Sequence, residues 1–508
     1  MPNLYEDPFT KTIPTKGQTI KLLRPFEICE NIPGSVVHKP KFIVKGADRY
    51  DVNQGGLGNC WFMAGLQSVT MNKKLMKIVL NPKKNSFKED RYDGKFIFRF
   101  FNCGSWEEVI IDDLIPCVKK GHNGNWQPCY ADLSILSGSD IGKINKYDPN
   151  VEFWPLLIEK AYAKFCGGYE KLEGGFQHEA LAHLAGAVGY EISNFPKNEF
   201  NDFTGCNEVE KIEVYNEIED KILDGGFLFA CRMLDSTRNG IHGLHAYSII
   251  DAFTTFDKAY RLICIKNPWG QGEGRNLDFN DTSCFWKDYP KEKKYLKQKV
   301  RNDGEFWMRL DDFLTIFDSL YCTYLTKNCV DKKSILTPKM GHLKRCSWRK
   351  YFSSKFVVSE RGKNGKYQLN SKVMFDVDEK KGADFLLSLQ LKDARKNKLE
   401  ANNLKIDIFT VKDGPRQPDK KELSLSRRKV GNDIIDKIYK DSDLKPVCPE
   451  NSGENQKFTS KFKISTKNPF MAVRRVRLPR GRYVVKVYST KASITYHGAY
   501  FSAWKNDF

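Results

Sequence analysis

The run Gln54-Gly-Gly-Leu-Gly-Asn-Cys-Trp61 places one cysteine behind a glycine-rich turn and at the start of an apolar segment. The segment after Cys60 contains few helix breakers, so it predicts a helix with the thiol at its N-terminus. The helix dipole favours a thiolate there, and the thiolate is the nucleophilic form of cysteine. A nucleophilic thiol also needs a base and a group that orients the base. The fold must therefore bring two further polar side chains to this helix end.

Candidates for both partners lie in the middle of the chain. His245 begins the run His-Ala-Tyr-Ser-Ile-Ile-Asp, whose mixture of apolar and small polar residues is typical of a half-buried strand. His242 lies three residues earlier and is the alternative base. A second strand pattern over residues 261–266 ends at Asn267, because the proline and glycine that follow stop a strand. An amide at this position can orient an imidazole without changing its charge.

The order cysteine, histidine, asparagine predicts a nucleophilic site assembled from two lobes. Cys60 is carried by a helix, whereas His245 and Asn267 are carried by strands, so the site must form in a cleft of an α+β fold. The imidazole would take the thiol proton and later protonate a leaving amine, while the amide fixes the imidazole tautomer. The side-chain N–H of Gln54, together with the backbone N–H of Cys60, would form an oxyanion hole.

Three blocks of sequence resemble the active-site blocks of the calpains. They are residues 54–61, 243–248 and 266–270, and residues 153–164 and 303–308 resemble further segments of that family. The resemblance covers residues 30–505 and implies an intracellular, calcium-dependent, papain-like cysteine endopeptidase that performs limited proteolysis. Position 59 departs from the family, since Asn59 stands where many calpains have aspartate. Loss of a carboxylate beside a thiolate removes a repulsion, so we expect the nucleophile to stay active.

Sequence patterns and the resemblance together predict the domain organisation. A two-lobed papain-like protease core is expected, followed by an antiparallel β-sandwich of the type called domain III in calpains. The expected boundaries are an extended lead-in at 1–35, a first lobe at 36–185, a second lobe at 186–326, a lysine-rich linker at 327–342 and the sandwich at 343–508.

The resemblance implies two calcium sites in the protease core, and oxygen ligands stand at the matching positions. The first-lobe set is Val44 and Gly46 through their carbonyls, with Asp51 and Glu179 through their carboxylates. The second-lobe set is Glu273, Asp281, the carbonyl of Arg301, Asp303 and Glu305, and Asn280 is the alternative to Asp281. Trp269 resembles the residue that keeps the lobes apart in calcium-free calpains. No EF-hand loop pattern is present, so no EF-hand small subunit is expected.

Charge is distributed unevenly along the chain. Residues 331–508 contain 41 Lys and Arg against 19 Asp and Glu, a net charge of +22, which leaves −2 for residues 1–330. The C-terminal part should therefore be attracted to anionic surfaces, and we expect anionic membrane lipid as its partner rather than nucleic acid, for which no motif is present.

Several other classes are less compatible with the sequence. The scattered cysteines predict buried free thiols rather than a disulfide framework or a zinc site, and we find neither a signal-peptide pattern nor an apolar run long enough to cross a membrane. We therefore expect a cytoplasmic protein that is recruited to membrane surfaces. Two alternative functions remain: a catalytically silent calpain-like scaffold, and a calcium-dependent transglutaminase, whose third catalytic residue would be aspartate.

Overall fold

The computed structural model describes most of the first two thirds of the chain and nine segments of the remainder. The described residues are 4–12, 19–32, 36–120, 124–133, 149–192, 207–223, 226–232, 234–272, 274–324, 348–356, 370–377, 383–397, 404–411, 444–446, 464–465, 471–478, 480–489 and 499–506. Two compact units are present. The first comprises Met1–Phe101, Trp106–Gly189 and Phe195–Cys346, and the second comprises Asn102–Ser105, Tyr190–Asn194 and Ser347–Phe508. The predicted linker at 327–342 lies outside the described residues.

The lead-in carries short regular elements and is tied to the first unit. It contains a 3-10 helix (Pro8–Thr12), strand β1 (Lys21–Leu23) and helix α1 (Pro25–Glu30). The buried carboxylate of Asp112 accepts hydrogen bonds from the Asp7 backbone N–H at 2.6 Å and from the Thr10 hydroxyl at 2.9 Å. The same carboxylate forms an ion pair with the buried ammonium of Lys160. The lead-in is therefore part of a packed polar network, and the expectation of a merely extended segment is wrong.

Four α-helices lie in the described part of the predicted first lobe. They are α2 (Cys60–Thr70), α3 (Lys73–Leu80), α4 (Trp154–Cys166) and α5 (Gln177–Ala185), and a 3-10 helix spans Tyr169–Leu172. The strands are β2 (Lys39–Lys41), β3 (Lys95–Asn102), β4 (Ser105–Asp112), β5 (Ile115–Lys120), β6 (Asn125–Pro128) and β7 (Asn150–Glu152). Helix α2 is buried from Trp61 to Thr70, and Phe62 stacks on Tyr162 with ring centroids 4.0 Å apart. The predicted helix after Cys60 is confirmed, and its apolar composition follows from its place in the core.

An antiparallel sheet carries the second lobe. Its elements are β8 (Val188–Ile192), α6 (Glu208–Leu223), β9 (Gly226–Arg232), β10 (His245–Thr254), β11 (Arg261–Lys266), α7 (Phe285–Asp288), α8 (Pro290–Tyr295), β12 (Glu305–Arg309), α9 (Leu310–Ile316) and β13 (Ser319–Tyr324). The strand order is β12-β11-β10-β9-β13-β8. Ser248 pairs with Lys266, so the start of β10 and the end of β11 lie at one edge of the sheet. The register therefore brings residues 245 and 267 to the same place.

The second unit contains two four-stranded antiparallel sheets. Its strands are β14 (Trp348–Phe356), β15 (Asn370–Val377), β16 (Ala383–Leu391), β17 (Leu404–Val411), β18 (Leu444–Pro446), β19 (Ile464–Ser465), β20 (Met471–Leu478), β21 (Gly481–Ser489) and β22 (Ala499–Asn506). The sheet orders are β14-β22-β16-β20 and β15-β21-β17-β18. The predicted strands at 371–377, 384–390, 404–409 and 482–488 fall within this set. The packing of the two sheets into a sandwich stays a prediction.

The cysteines and helices of the described ranges can be compared with the predictions of free thiols and of no membrane-spanning segment. Ten cysteines in these ranges are free, and eight of them are buried, whereas Cys60 is half-buried and Cys284 is exposed. This agrees with the predicted free thiols. In the part of the chain that the structure covers, no helix combines the length and the hydropathy needed to cross a membrane.

His178 in α5 is expected to make folding sensitive to acid. Its buried ring stacks on Tyr321 with centroids 5.6 Å apart, and burial lowers the pKa from 6.5 to about 3. The unfolded chain binds a proton at His178 below about pH 6.5, whereas the folded chain does not, so this contribution to stability is lost as the pH falls. We predict that the stability advantage of the wild type over His178→Asn shrinks by about 2 kcal/mol between pH 6.5 and pH 5. Urea denaturation of both proteins measures it, and a difference that is independent of pH would contradict the assignment.

Candidate active site

Cys60 is the first residue of α2 and follows a turn that only glycines can form. Gly55 lies so close to the Tyr130 carbonyl oxygen that an added Cβ would be 1.4 Å from it, and the Gly56 N–H donates to the Cys129 carbonyl at 3.1 Å. The turn is thus clamped against the segment at 129–130. This contact explains why glycine is needed directly before the nucleophile helix.

Asn59, the N-cap residue of α2, is held by a buried acid. Its side-chain amide donates to Glu159 Oε1 at 2.8 Å, and Glu159 Oε2 accepts from the Ala131 N–H at 2.8 Å. Burial raises the pKa of Glu159 to about 7. An amide at position 59 gives this carboxyl a hydrogen-bond donor where an aspartate would add a second acid. Sequence reasoning missed Glu159, which lies 100 residues from its partner.

The Cys60 thiol lies against the start of β10. Helix α2 packs on this strand, since the Ser248 hydroxyl donates to the Ala64 carbonyl at 3.2 Å. Burial raises the pKa of the Cys60 thiol, while hydrogen bonds from the backbone N–H groups of Ala246 and Trp61 act in the opposite direction. Desolvation outweighs the favourable N–H groups in this conformation, so burial opposes the thiolate preference that the helix end predicts.

His245 and Asn267 form the pair that the sequence predicted. The distance from His245 Nε2 to Asn267 Oδ1 is 3.0 Å, and both side chains are buried. The orientation of the amide is fixed independently: Oδ1 also accepts from the Trp269 N–H at 3.1 Å, and Nδ2 donates to the Gly272 carbonyl at 3.2 Å. An amide oxygen only accepts, so Nε2 carries the proton and Nδ1 is left as the basic nitrogen. Burial lowers the pKa of His245 to about 4.

His242 occupies a different environment from His245. Its Nδ1 is 3.5 Å from Thr237 Oγ1, and its backbone N–H donates to the Tyr247 hydroxyl at 2.9 Å. Trp269 lies beside both histidines, with ring centroids 4.4 Å from His242 and 4.8 Å from His245. Only His245 is bonded to the amide, which favours it as the base.

Gln54 connects the turn to the asparagine block. Its backbone N–H donates to the Pro268 carbonyl at 3.0 Å, and its side-chain Nε2 donates to the Leu57 carbonyl at 2.7 Å. Nε2 carries two hydrogens, so one donor remains after this bond. Gly270 packs tightly against Asn53, the residue before Gln54. A Cβ added at position 270 would lie 1.7 Å from Asn53 Oδ1.

The first-lobe calcium set is only partly brought together. Asp51 accepts from the Asp48 N–H at 2.7 Å and contacts Glu152, which accepts from the Val44 N–H at 2.6 Å. Burial and the neighbouring Asp51 raise the pKa of Glu152 to about 9, and burial raises that of Asp51 to about 6. Gly46 adopts a left-handed φ of +102° close to this group, whereas Glu179 is buried within α5. Glu152 was not among the predicted ligands.

The second-lobe set bonds to protein donors. Asp281 Oδ2 accepts from the Arg301 N–H at 2.9 Å, and Asp303 Oδ1 accepts from the Glu305 N–H at 3.0 Å. Asn280 instead uses its amide within its own loop, donating to the Gly274 carbonyl at 2.9 Å. Glu273 lies outside the described residues. Within the described ranges, no group of three or more His, Cys, Asp or Glu side chains is arranged to hold a metal ion.

An ion pair joins the two predicted lobes. Arg49 Nη2 lies 2.9 Å from Glu305 Oε2, both side chains are largely buried, and the Tyr50 hydroxyl donates to the same oxygen at 3.2 Å. Residue 49 belongs to the predicted first lobe and residue 305 to the second. Sequence reasoning named Glu305 as a ligand but did not foresee this partner, which is 256 residues away.

A thiol at a helix end and a buried imidazole–amide pair are the groups that a cysteine-protease site uses. The family model described as "Calpain family cysteine protease" matches residues 4–324. The chain belongs to the calpain family.

Curated relatives place this match in context. Calpain clp-4 of Caenorhabditis elegans is 33% identical over 315 residues, which is 60% of this chain and 39% of that protein. Calpain-9 of Homo sapiens is 34% identical over 317 residues, covering 60% and 40%. The Calpain-1 catalytic subunit of Rattus norvegicus is 29% identical over 497 residues, covering 93% and 59%. The chain thus spans about two fifths of the length of the first two relatives.

Proposed function

We propose that this chain is a cysteine endopeptidase that cleaves protein substrates through Cys60, His245 and Asn267. The observation that supports it most is the 3.0 Å contact between His245 Nε2 and Asn267 Oδ1, formed directly next to Ala246, whose N–H bonds to the Cys60 thiol. The contact occupies Nε2 and leaves Nδ1 as the basic nitrogen of the imidazole, which we propose accepts the thiol proton.

The proposed reaction has two balanced halves. His245 Nδ1 takes the Cys60 proton, and the sulfur attacks the peptide carbonyl carbon to form a tetrahedral intermediate. The imidazolium then gives its proton to the leaving amine as the C–N bond breaks, which leaves a thioester. Water attacks the thioester with His245 again as base, and the thiol and the carboxylic acid are released.

Electrostatics of the described conformation favour a resting state. The pKa of the thiol is raised and that of the imidazole is lowered, so the neutral pair is favoured over the thiolate–imidazolium pair. Both shifts have burial as their largest cause. We propose that the active form differs in the surroundings of these two groups, and Trp269, packed against His245, is the residue whose movement would change them most directly.

Gln54 is proposed to stabilise the oxyanion with its remaining Nε2 hydrogen. We predict that Gln54→Ala lowers kcat by about a hundredfold with little change in KM, since the donor acts on charge that develops only in the transition state. Kinetics with a fluorogenic peptide measure both constants, and Gln127→Ala, a half-buried glutamine on β6, is the control. A change confined to KM would contradict the oxyanion role.

Arg49 is proposed to couple the two lobes through Glu305. Removing one partner of a buried ion pair leaves an uncompensated charge, so Arg49→Ala is expected to lower the free energy of unfolding by about 3 kcal/mol and to reduce kcat/KM. Arg99→Ala is the matched control, because Arg99 pairs with Glu108 at the exposed surface, and we expect no measurable effect there. Equal effects of the two variants, measured by denaturation and peptide hydrolysis, would rule out the coupling role.

Calcium dependence and lipid binding complete the proposal. The calcium requirement is supported by family membership and by the oxygen-rich positions. Binding of anionic lipid by the second unit is supported by its share of the +22 charge on residues 331–508. We propose cytoplasmic proteolysis at such surfaces.

Release of peptides from casein tests the proposed activity. The wild type and a Cys60→Ala variant are each incubated with calcium or with chelator. We expect the wild type to release peptides in calcium but not in chelator, and we expect Cys60→Ala to release none in either condition. Peptide release by both proteins would mean that Cys60 is not the nucleophile. No release by either protein would support the scaffold alternative.

A further inference from the structure

Two aromatic rings stand exposed on the second lobe. Phe256, in the turn between β10 and β11, is 55% exposed, and Tyr295, at the end of α8, is 40% exposed. Their ring centroids are 5.6 Å apart, and both contact the buried ring of Phe253. Large exposed rings that form one cluster are typical of interaction surfaces.

Hydrogen bonds fix the turn against the helix. The buried carboxylate of Glu292 accepts from the Phe256 N–H at 3.1 Å, and the Tyr289 hydroxyl donates to Asp257 Oδ2 at 3.1 Å. Phe256 and Tyr295 are thus presented by one ordered scaffold rather than by two independent loops.

Exposed basic residues are concentrated in the stretch of sequence that contains Tyr295. Residues 287–301 contain seven Lys and Arg against two acids, a net charge of +5, although residues 1–330 as a whole carry −2. One of the two acids, Glu292, is buried and bonded, so Asp288 and the neighbouring Asp257 are the exposed ones. The exposed basic residues of this stretch are Lys287, Lys291, Lys293, Lys294, Lys297, Lys299 and Arg301.

We propose that this lysine–aromatic surface, formed by Phe256, Tyr295 and the basic residues of 287–301, docks on anionic phospholipid headgroups. Lysines are attracted to the negative surface potential, and aromatic rings settle at the headgroup level. Six of the seven basic residues are lysine, which binds as a point charge, whereas nucleic-acid recognition favours the bidentate arginine fork. The surface belongs to the first unit and acts independently of the peptidase proposal and of the basic second unit.

Hydrogen exchange followed by mass spectrometry locates the contact. Full-length Cys60→Ala protein is mixed, in chelator, with vesicles of phosphatidylcholine alone or with 30 mol% phosphatidylserine added, roughly the anionic share that gives a strong surface potential. We expect slower exchange at residues 253–259 and 289–301 with phosphatidylserine only. Protection confined to residues after 347 would overturn the proposal, as would equal protection by a single-stranded oligonucleotide at matched charge.

Two double variants test the contribution of the lysine charges and that of the aromatic rings separately. Lys293→Glu with Lys294→Glu should weaken vesicle binding at this surface by about tenfold or more, and Phe256→Ser with Tyr295→Ser should weaken it without altering its salt dependence. Lys73→Glu with Lys77→Glu on α3 makes the same charge change on exposed lysines of the first lobe and is the control. The assignment would be refuted if the control variant also lost protection at residues 253–259. It would be refuted equally if both variants of the lysine–aromatic surface kept that protection.

Discussion

Replacing Cys60 with serine is expected to lower kcat/KM by at least about ten-thousandfold. A serine hydroxyl is much less acidic than a thiol, so His245 would deprotonate it far less readily and it is a far weaker nucleophile in this site. Hydrolysis of a fluorogenic peptide measures the change. The fold should persist, since one atom is exchanged at a half-buried position.

Cys284→Ser is the matched control for this change. Cys284 is the one exposed thiol among the described cysteines, and it lies next to α7, away from the nucleophile helix. We expect its activity to equal that of the wild type. Comparable losses in both variants would mean that the effect comes from general thiol chemistry rather than from Cys60.

His245→Ala is expected to reduce kcat/KM by about a thousandfold or more, because it removes both the base and the acid of the proposed reaction. His242→Ala leaves the imidazole–amide pair in place and should retain most of the activity, although it removes a ring that packs against Trp269. Peptide hydrolysis by the two variants decides between the candidate bases. A larger loss of activity in His242→Ala than in His245→Ala would mean that His242 is the base.

The fold and the site differ in how far they follow from the sequence. Local patterns predicted helix α2, the strands that begin at His245 and end before Asn267, and four strands of the second unit, because each signal lies within about ten residues. The His245–Asn267 contact also followed, since the register of two adjacent antiparallel strands determines it.

Polar contacts between residues far apart in the chain could not be predicted from local sequence patterns. Glu159 beside Asn59 and Arg49 beside Glu305 join segments 100 and 256 residues apart, and no periodicity marks them. The effect of burial on the pKa of Cys60 could not be predicted for the same reason: the helix end is a local feature, whereas burial depends on the packing of distant segments. Asp51 was recognised as a ligand candidate, but its carboxyl neighbour Glu152 lies on strand β7, about 100 residues further along the chain.

Trapping the acyl-enzyme tests the central claim most directly. The protein is mixed with a peptide ester in the presence of calcium, quenched in acid and mapped by mass spectrometry. We predict that the acyl group is recovered on the peptide that contains Cys60, and that it is absent from His245→Ala. Ester or peptide turnover without acylation of Cys60, or with the acyl group on another side chain, would contradict the proposed nucleophile.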